Sequence, residues 1–511
     1  MPLLRRILPS YSGPYPVSST DLELPAPPDL ADRSFSDATL KSRPGHPALK
    51  LDTVLVTLFY PASSPSTASG TRQPWLQRPL GQTAQGYARF LNFNKPWLLK
   101  TLFWIVGARI RLPVQGDAAL ADKAAHAATA SSDTLVGDAL APGNDTFPLV
   151  VFSHGLSGTR TTYSHWCGEI ASRGYIVAAI EHRDGSGPVS VVRLENGKEQ
   201  VVDYLRPEEH LDWPSGARPQ TSLQFRSSAQ LPFRLAEIST LLHHLRRLND
   251  GEGAAVAAEN RRKDHGGERV GRWLDGWKGR IGLAGEMVMV GHSFGGATTI
   301  QVLRAGLRAF PFARGIALDP WADPLPPAPA RRRSSSFSQL SRATSTPTAQ
   351  SDPAATAPPP DAAADGGAVP LDINVPLLVI NSESFTLWRA HYGLVRDIVA
   401  AVGGGAERYL LTLVGSIHTS FSDLPLLLSS LPLVPASLTR RTGARVDPLV
   451  GLAAVVDACG EFLAGRTGRV LGAGVSTGEA DEVGPDGKTR LRGEPGTWRV
   501  HIAGARKSKT S

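Results

Sequence analysis

Ser293 lies in the run Met287-Val-Met-Val-Gly291-His-Ser-Phe-Gly295-Gly-Ala-Thr298. A short apolar stretch, read as a buried strand, leads directly into Gly-x-Ser-x-Gly, and residues 298–305 read as a helix. This layout is a nucleophile elbow: the tight turn lifts the serine hydroxyl to where a substrate can reach it, and the helix aims free N–H groups at the same spot. A serine hydroxyl attacks an acyl carbon only when an imidazole accepts its proton and an acid orients that imidazole. Asp319 closes the strand-like 315–318, and His418 follows the strand-like 409–413 at once. Three competitors are weighed: Asp323 lies past its strand end, His292 adjoins the nucleophile and is expected to point away, and His154 is expected to shape its own loop. Gly474-Val-Ser-Thr-Gly478 also fits the motif, but Glu479, Asp481, Glu482, Gly484 and Pro485 follow it and cannot start the required helix.

The three residues must be carried on elements that converge. Pro148-Leu-Val-Val-Phe152 reads as a strand ending in the small-residue turn Ser153-His-Gly-Leu-Ser-Gly158. A helix over 163–172 and a strand over 175–180 follow, then an amphipathic helix over 231–248. Strands recur at 375–380 and 409–413, and an early antiparallel strand is expected within 51–60. Alternation of strand and helix predicts an α/β fold with a mostly parallel central sheet flanked by helices on both faces. The order Ser, acid, His, each just past a strand, is that of the α/β-hydrolase fold, in which such ends cluster at one edge of the sheet.

Composition sets the limits. The chain has 511 residues, 41% of them hydrophobic, with 51 Gly and 41 Pro. That suits a globular domain with irregular additions: a catalytic domain over 1–465, a disordered insertion over 325–369 within it, and a disordered tail over 466–511. Cys167 and Cys459 are too few for a disulfide framework or a cysteine-based zinc site. The net charge of +8 is concentrated in the linker and tail and does not call for nucleic acid as a partner. The first residues carry no apolar signal core and no run is long enough to span a membrane, so an intracellular, cytoplasmic protein with peripheral membrane association is expected. Arg331-Arg-Arg-Ser-Ser-Ser336 has the form of a basophilic kinase site, and the Ser-rich stretch 331–342 is a candidate for phosphorylation. The segment from Trp97 to Val106, with two Trp and flanking cations, fits either a core helix or one lying in a lipid interface; that from Leu424 to Leu438 carries a second apolar surface.

Several of these motifs together are similar to one family. Gly291-His-Ser-Phe-Gly-Gly-Ala-Thr298, Val150-Val-Phe-Ser-His-Gly-Leu156, Ile176-Val-Ala-Ala-Ile-Glu-His-Arg-Asp184, Gly315-Ile-Ala-Leu-Asp319 and Gly415-Ser-Ile-His418 resemble the platelet-activating factor acetylhydrolases of the plasma and intracellular type II kind. Gly13-Pro-Tyr-Pro-Val17 with Thr20-Asp-Leu22 resembles their N-terminal region, and the likeness covers about 10–465. The resemblance implies Ser293 as nucleophile, Asp319 as acid and His418 as base, with the backbone N–H groups of Leu156 and Phe294 as oxyanion donors. It further implies no metal or other cofactor, and action at a membrane surface on phospholipids bearing short or oxidised sn-2 acyl chains. Residues 97–106 and 424–438 fall where the family's docking helices lie. Two other readings stay open: a general carboxylesterase or lipase acting on neutral esters, and a catalytically inactive membrane-docking scaffold.

Overall fold

The computed structural model describes residues 6–63, 72–123, 145–262, 274–326, 373–429, 443–476, 481–484 and 487–504. Its main sheet is built from β1 (Val17–Pro25), β2 (Thr53–Pro61), β3 (Ile110–Gly116), β4 (Phe147–Ser153), β5 (Ile176–Glu181), β6 (Val288–His292), β7 (Arg314–Leu318), β8 (Leu377–Ser382), β9 (Arg408–Leu413) and β10 (Trp498–Ile502). Their spatial order is β3-β1-β2-β5-β4-β6-β7-β8-β9-β10, with Arg6–Ile7 outside β3. The run from β5 to β9 is parallel, whereas β1, β2 and β10 enter antiparallel.

Both faces of the parallel part are covered, which is why its strands are almost continuously apolar. Side chains alternate across the sheet: Leu149 and Val151 of β4 enter one core, Val150 and Phe152 the other. The first core is closed by α3 (Leu231–Asp250), α4 (Phe294–Ala305) and α6 (Arg389–Ala401), through residues such as Ile238, Leu241, Ile300 and Val395. The second is closed by α2 (Ser164–Ala171) and α8 (Pro448–Leu463), through Trp166, Ile170, Val456 and Phe462. Helix α3 ends where Gly251 adopts a left-handed conformation at φ 98°, as a C-terminal glycine permits. Cys167 and Cys459 are buried and unpaired.

The stretch beyond 465 differs from expectation. Instead of being an unstructured tail throughout, it supplies β10, which pairs with β9 through Val500 opposite Leu411 and Trp498 opposite Leu413. A five-residue strand in a polar, glycine-rich surrounding gives little sequence signal, and β9 would otherwise leave an open edge. Between β5 and α3 the chain forms the antiparallel hairpin Val189–Arg193 with Glu199–Asp203. Most of the expected insertion 325–369, including the candidate kinase site, lies outside the described residues.

The two apolar segments fare differently. Helix α1 (Pro96–Ile105) buries none of its residues; Trp97 is 61% and Trp104 68% exposed, with Leu98, Leu102 and Ile105 beside them. Helix α7 (Leu424–Ser429) turns Leu426 and Leu427 inward and leaves Leu428 38% exposed, so this part of the 424–438 segment lies largely against the protein, and 430–438 lies outside the described residues. Among the described residues, no helix is long and apolar enough to cross a membrane.

Val500 is 3% exposed within the second core. Val500→Asp should cost roughly 3 kcal/mol or more by burying an unpaired charge, read as a lowered midpoint in denaturant unfolding. An unstructured tail would give an unchanged midpoint.

Candidate active site

The elbow is made by backbone crowding. A Cβ on Gly291 would collide with the Gly295 carbonyl, and one on Gly295 with the Ser153 carbonyl at the end of β4. Neither glycine has a positive φ, so close approach rather than backbone angle requires them. Ser293 itself carries the strain, at φ 57° and ψ −119°, a conformation that costs a side-chain-bearing residue about 1–3 kcal/mol. It is held there by its N–H to Leu318 O at 3.0 Å and by Trp321 N–H to its own carbonyl at 2.9 Å. The turn after β4 presses against it: a Cβ on Gly155 would come within 2.7 Å of Ser293 Cβ. Leu156 therefore lies beside the nucleophile, and Phe294 opens α4, where leading N–H groups have no intrahelical acceptor.

Ser293, Asp319 and His418 are brought together. His418 Nε2 lies 2.9 Å from Ser293 Oγ, and its Nδ1 2.7 Å from Asp319 Oδ2. The carboxylate only accepts, so Nδ1 bears the proton and Nε2 presents a lone pair to the serine O–H. Asp319 is fully buried and also accepts from Ser382 N–H and Ser382 Oγ, each at 2.7 Å. The same Ser382 Oγ caps α5 (Glu383–Leu387) by accepting Phe385 N–H at 3.2 Å. That cap lays the Phe385 ring flat on the His418 imidazole, 4.3 Å between centroids and 4° apart in plane.

The expectation that His292 faces away does not hold. Its ring lies against His418 on another side, at 4.5 Å, with Nε2 3.0 Å from the His418 carbonyl and Nδ1 2.8 Å from Tyr163 OH. A carbonyl cannot donate, so Nε2 carries the hydrogen and Nδ1 accepts from Tyr163, whose oxygen in turn takes Gly155 N–H at 3.4 Å. Burial and the neighbouring His418 hold the His292 imidazole well below its usual pKa, so it stays neutral while this chain ties the turn after β4 to the loop carrying His418. The loop is anchored again by Asp423, buried and accepting from Trp75 Nε1, Ser164 N–H, Ser164 Oγ and His165 N–H at the start of α2.

The other competitors have separate tasks. Asp323 accepts from Trp321 Nε1 at 2.6 Å. His154 shapes its loop, donating from Nδ1 to Gly155 O at 2.8 Å and accepting His182 N–H on Nε2 at 3.0 Å. A second Ser–His–acid array exists: Ser153 Oγ lies 2.7 Å from His182 Nε2, and His182 Nδ1 2.5 Å from Glu237 Oε2. It is sealed from solvent and can meet no substrate. Donor atoms of His292, Asp319 and His418 lie within 4.8 Å of one another; each is already engaged in the hydrogen bonds above, an arrangement suited to moving a proton from serine to imidazole. Residues that sequence reasoning missed are Ser382, Phe385, Arg234 and Glu237. Only Ser382, the last residue of β8 and three residues before Phe385, carries a local signal, that of a helix N-cap.

Comparison with known proteins agrees with this architecture. The family model "Platelet-activating factor acetylhydrolase, isoform II" matches residues 5–333 and 368–470. A platelet-activating factor acetylhydrolase of Gallus gallus is 27% identical over 422 residues, 81% of this chain and 74% of that protein. A putative phospholipase A2 of Schizosaccharomyces pombe is 30% identical over 301 residues, 58% of each protein; the aligned part of this chain thus spans little more than half of that relative. Among solved structures, a ferulic acid esterase from Streptomyces cinnamoneus aligns over 92% of this chain and 97% of its own with a TM-score of 0.51 at 17% identity, which speaks for the fold alone.

Burial lowers the His154 imidazole to about 4, against about 6.5 in an unfolded chain. Between those values the unfolded state binds a proton that the folded state refuses, so stability falls as pH drops through the window, by roughly 3 kcal/mol at full depth. Asp423, pushed up to about 7 by burial, acts with the opposite sign but is common to wild type and a His154→Gln variant. The melting temperature should therefore fall less steeply between pH 7.5 and 5 in His154→Gln; equal slopes would count against burial as the cause.

Proposed function

The chain belongs to the platelet-activating factor acetylhydrolase family, isoform II type, and from that premise we propose that it is a serine esterase cleaving the sn-2 ester of glycerophospholipids with short or oxidised acyl chains. The observation that carries the reading is the hydrogen-bonded line from Ser293 Oγ through His418 to Asp319, at 2.9 and 2.7 Å. In the proposed reaction Ser293 Oγ attacks the sn-2 carbonyl as its proton passes to His418 Nε2. Charge collecting on the carbonyl oxygen is held by the N–H groups of Leu156 and Phe294, stabilisation of a kind that ranks among the largest in acyl transfer. His418 then protonates the departing lysophospholipid oxygen, leaving an acyl-serine. Water, giving its proton to the same nitrogen, releases the acid. Asp319 holds the imidazole in the required tautomer and balances its transient charge.

Helix α1 supports a lipid surface as the place of action. Five exposed large apolar residues, two of them Trp, lie on a helix with no buried residue, and Lys95, Lys100 and Arg109 flank them to meet headgroups. The reading as a general carboxylesterase or lipase keeps every step and changes only the leaving group. An inactive scaffold is disfavoured by the intact proton path.

Ser293→Ala should lower turnover on the order of 10⁶-fold, measured on short-chain phosphatidylcholine, a matched triglyceride and a nitrophenyl ester; a preference for the triglyceride would move the assignment to a lipase, and undiminished hydrolysis would remove it. Trp97→Ser with Trp104→Ser should reduce the ratio of vesicle to monomeric-ester hydrolysis about tenfold or more, since both anchors leave the interface. An unchanged ratio would show that α1 does not dock.

A further inference from the structure

Among the described residues, the largest charged side chain sealed inside the protein is Arg234 of α3, which is not exposed at all. It does not touch Ser293, Asp319 or His418, yet its contacts surround the site's other half. Nη1 donates to the His154 carbonyl at 3.0 Å, two residues before Leu156, and to Thr298 Oγ1 at 3.2 Å on α4. Thr298 Oγ1 in turn donates to the Phe294 carbonyl at 3.0 Å, and the guanidinium carbon lies 4.2 Å from the centre of the Phe294 ring. Nη2 donates to Ser186 Oγ at 2.6 Å, while the Ser186 carbonyl accepts Ser157 N–H at 2.8 Å. One guanidinium thus grips the turn on both sides of Leu156 and the helix that starts at Phe294. Nη1 also reaches Ser153 Oγ at 3.3 Å, and Nε is neutralised by Asp184 at 2.7 Å.

We propose that Arg234 is a positioning residue that sets the distance and direction between the N–H groups of Leu156 and Phe294, the pair assigned above to the oxyanion. The assignment rests on the esterase reading. Three features support it. The turn needs an outside clamp, because Ser157 is held at φ 57°, a strained conformation that only surrounding contacts maintain. A buried guanidinium survives only where its donors are satisfied, and here four of its five hydrogen-bond acceptors are on, or one residue link from, the two donor-bearing segments. Its planar fork sends N–H groups in three fixed directions, which a lysine ammonium on a flexible stem cannot copy.

The test separates a loose oxyanion site from a merely weakened fold. Thr298→Val removes one arm of the clamp at constant shape, and Arg234→Met with Asp184→Asn removes the cation together with its counter-charge. Each is assayed with a short-chain nitrophenyl ester and with two inhibitors, an alkyl trifluoromethyl ketone and the matching methyl ketone. With the first, Ser293 Oγ bonds to the carbonyl carbon, the C=O pair moves onto oxygen as an oxyanion, and the serine proton passes to His418; the second adds hardly at all and reports ground-state binding. Thr298→Val should lower kcat about tenfold and the double variant about 10²-fold, somewhat less than deleting an oxyanion donor outright, with KM changed by less than about threefold. Affinity for the trifluoromethyl ketone should fall in parallel with kcat while that for the methyl ketone stays. Folded variants that keep kcat, or that lose both ketones equally, overturn the assignment. Should the double variant not fold, Thr298→Val decides by the same criteria. Failure of wild type to bind the trifluoromethyl ketone would remove the esterase reading and this assignment with it, whereas normal wild-type binding beside unaffected variants removes this assignment alone.

Discussion

The structure turns on one steric constraint: the backbone at the end of β6 must approach the backbone at the end of β4 so closely that no side chain fits between them. Gly295 and Gly155 occupy that contact, Gly291 leaves room for the first turn of α4 to fold back over β6, and the serine at the centre is forced into a conformation it would not choose. Strain of this kind persists only where the surroundings over-determine it. The two flanking cores do so: β4 and β6 are fixed side by side in register, Val290 beside Phe152 and Gly291 beside Ser153, by apolar side chains buried on both faces.

Around that contact the protein uses buried polar groups as braces. Ser382 both orients Asp319 and starts the helix that lays Phe385 on His418. His292 and Asp423 fasten the loop that carries His418, and Arg234 holds the turn and helix opposite. Each brace is satisfied by several partners, as burial of polar atoms demands. The cost of desolvation is accepted where it fixes geometry: an imidazole that accepts a serine proton is useful only in one tautomer and orientation.

The outer parts follow different rules. Helix α1 leaves its large side chains in solvent, against the usual depletion of such clusters from surfaces that face only water. The final strand β10 lies beyond the residues that match the family model, so the chain closes the β9 edge with a piece of its own C-terminal segment.

The sequence by itself determined the identities of Ser293, Asp319 and His418 as candidates, the strands that precede them and the α/β character of the sheet. Those signals are local: apolar runs, glycines at fixed offsets from a serine, an acid and an imidazole directly after a strand. Which way His292 would turn, that Ser153, His182 and Glu237 form a sealed array, and that Arg234 lies behind the site were decided only by tertiary structure. Their partners are tens to hundreds of residues away, as with Arg234 and His154, 80 apart, or Ser164 and Asp423, 259 apart. No periodicity records such pairings. The C-terminal strand was hidden for the same reason, because a short polar-flanked segment acquires its pattern of burial only once β9 is there to receive it.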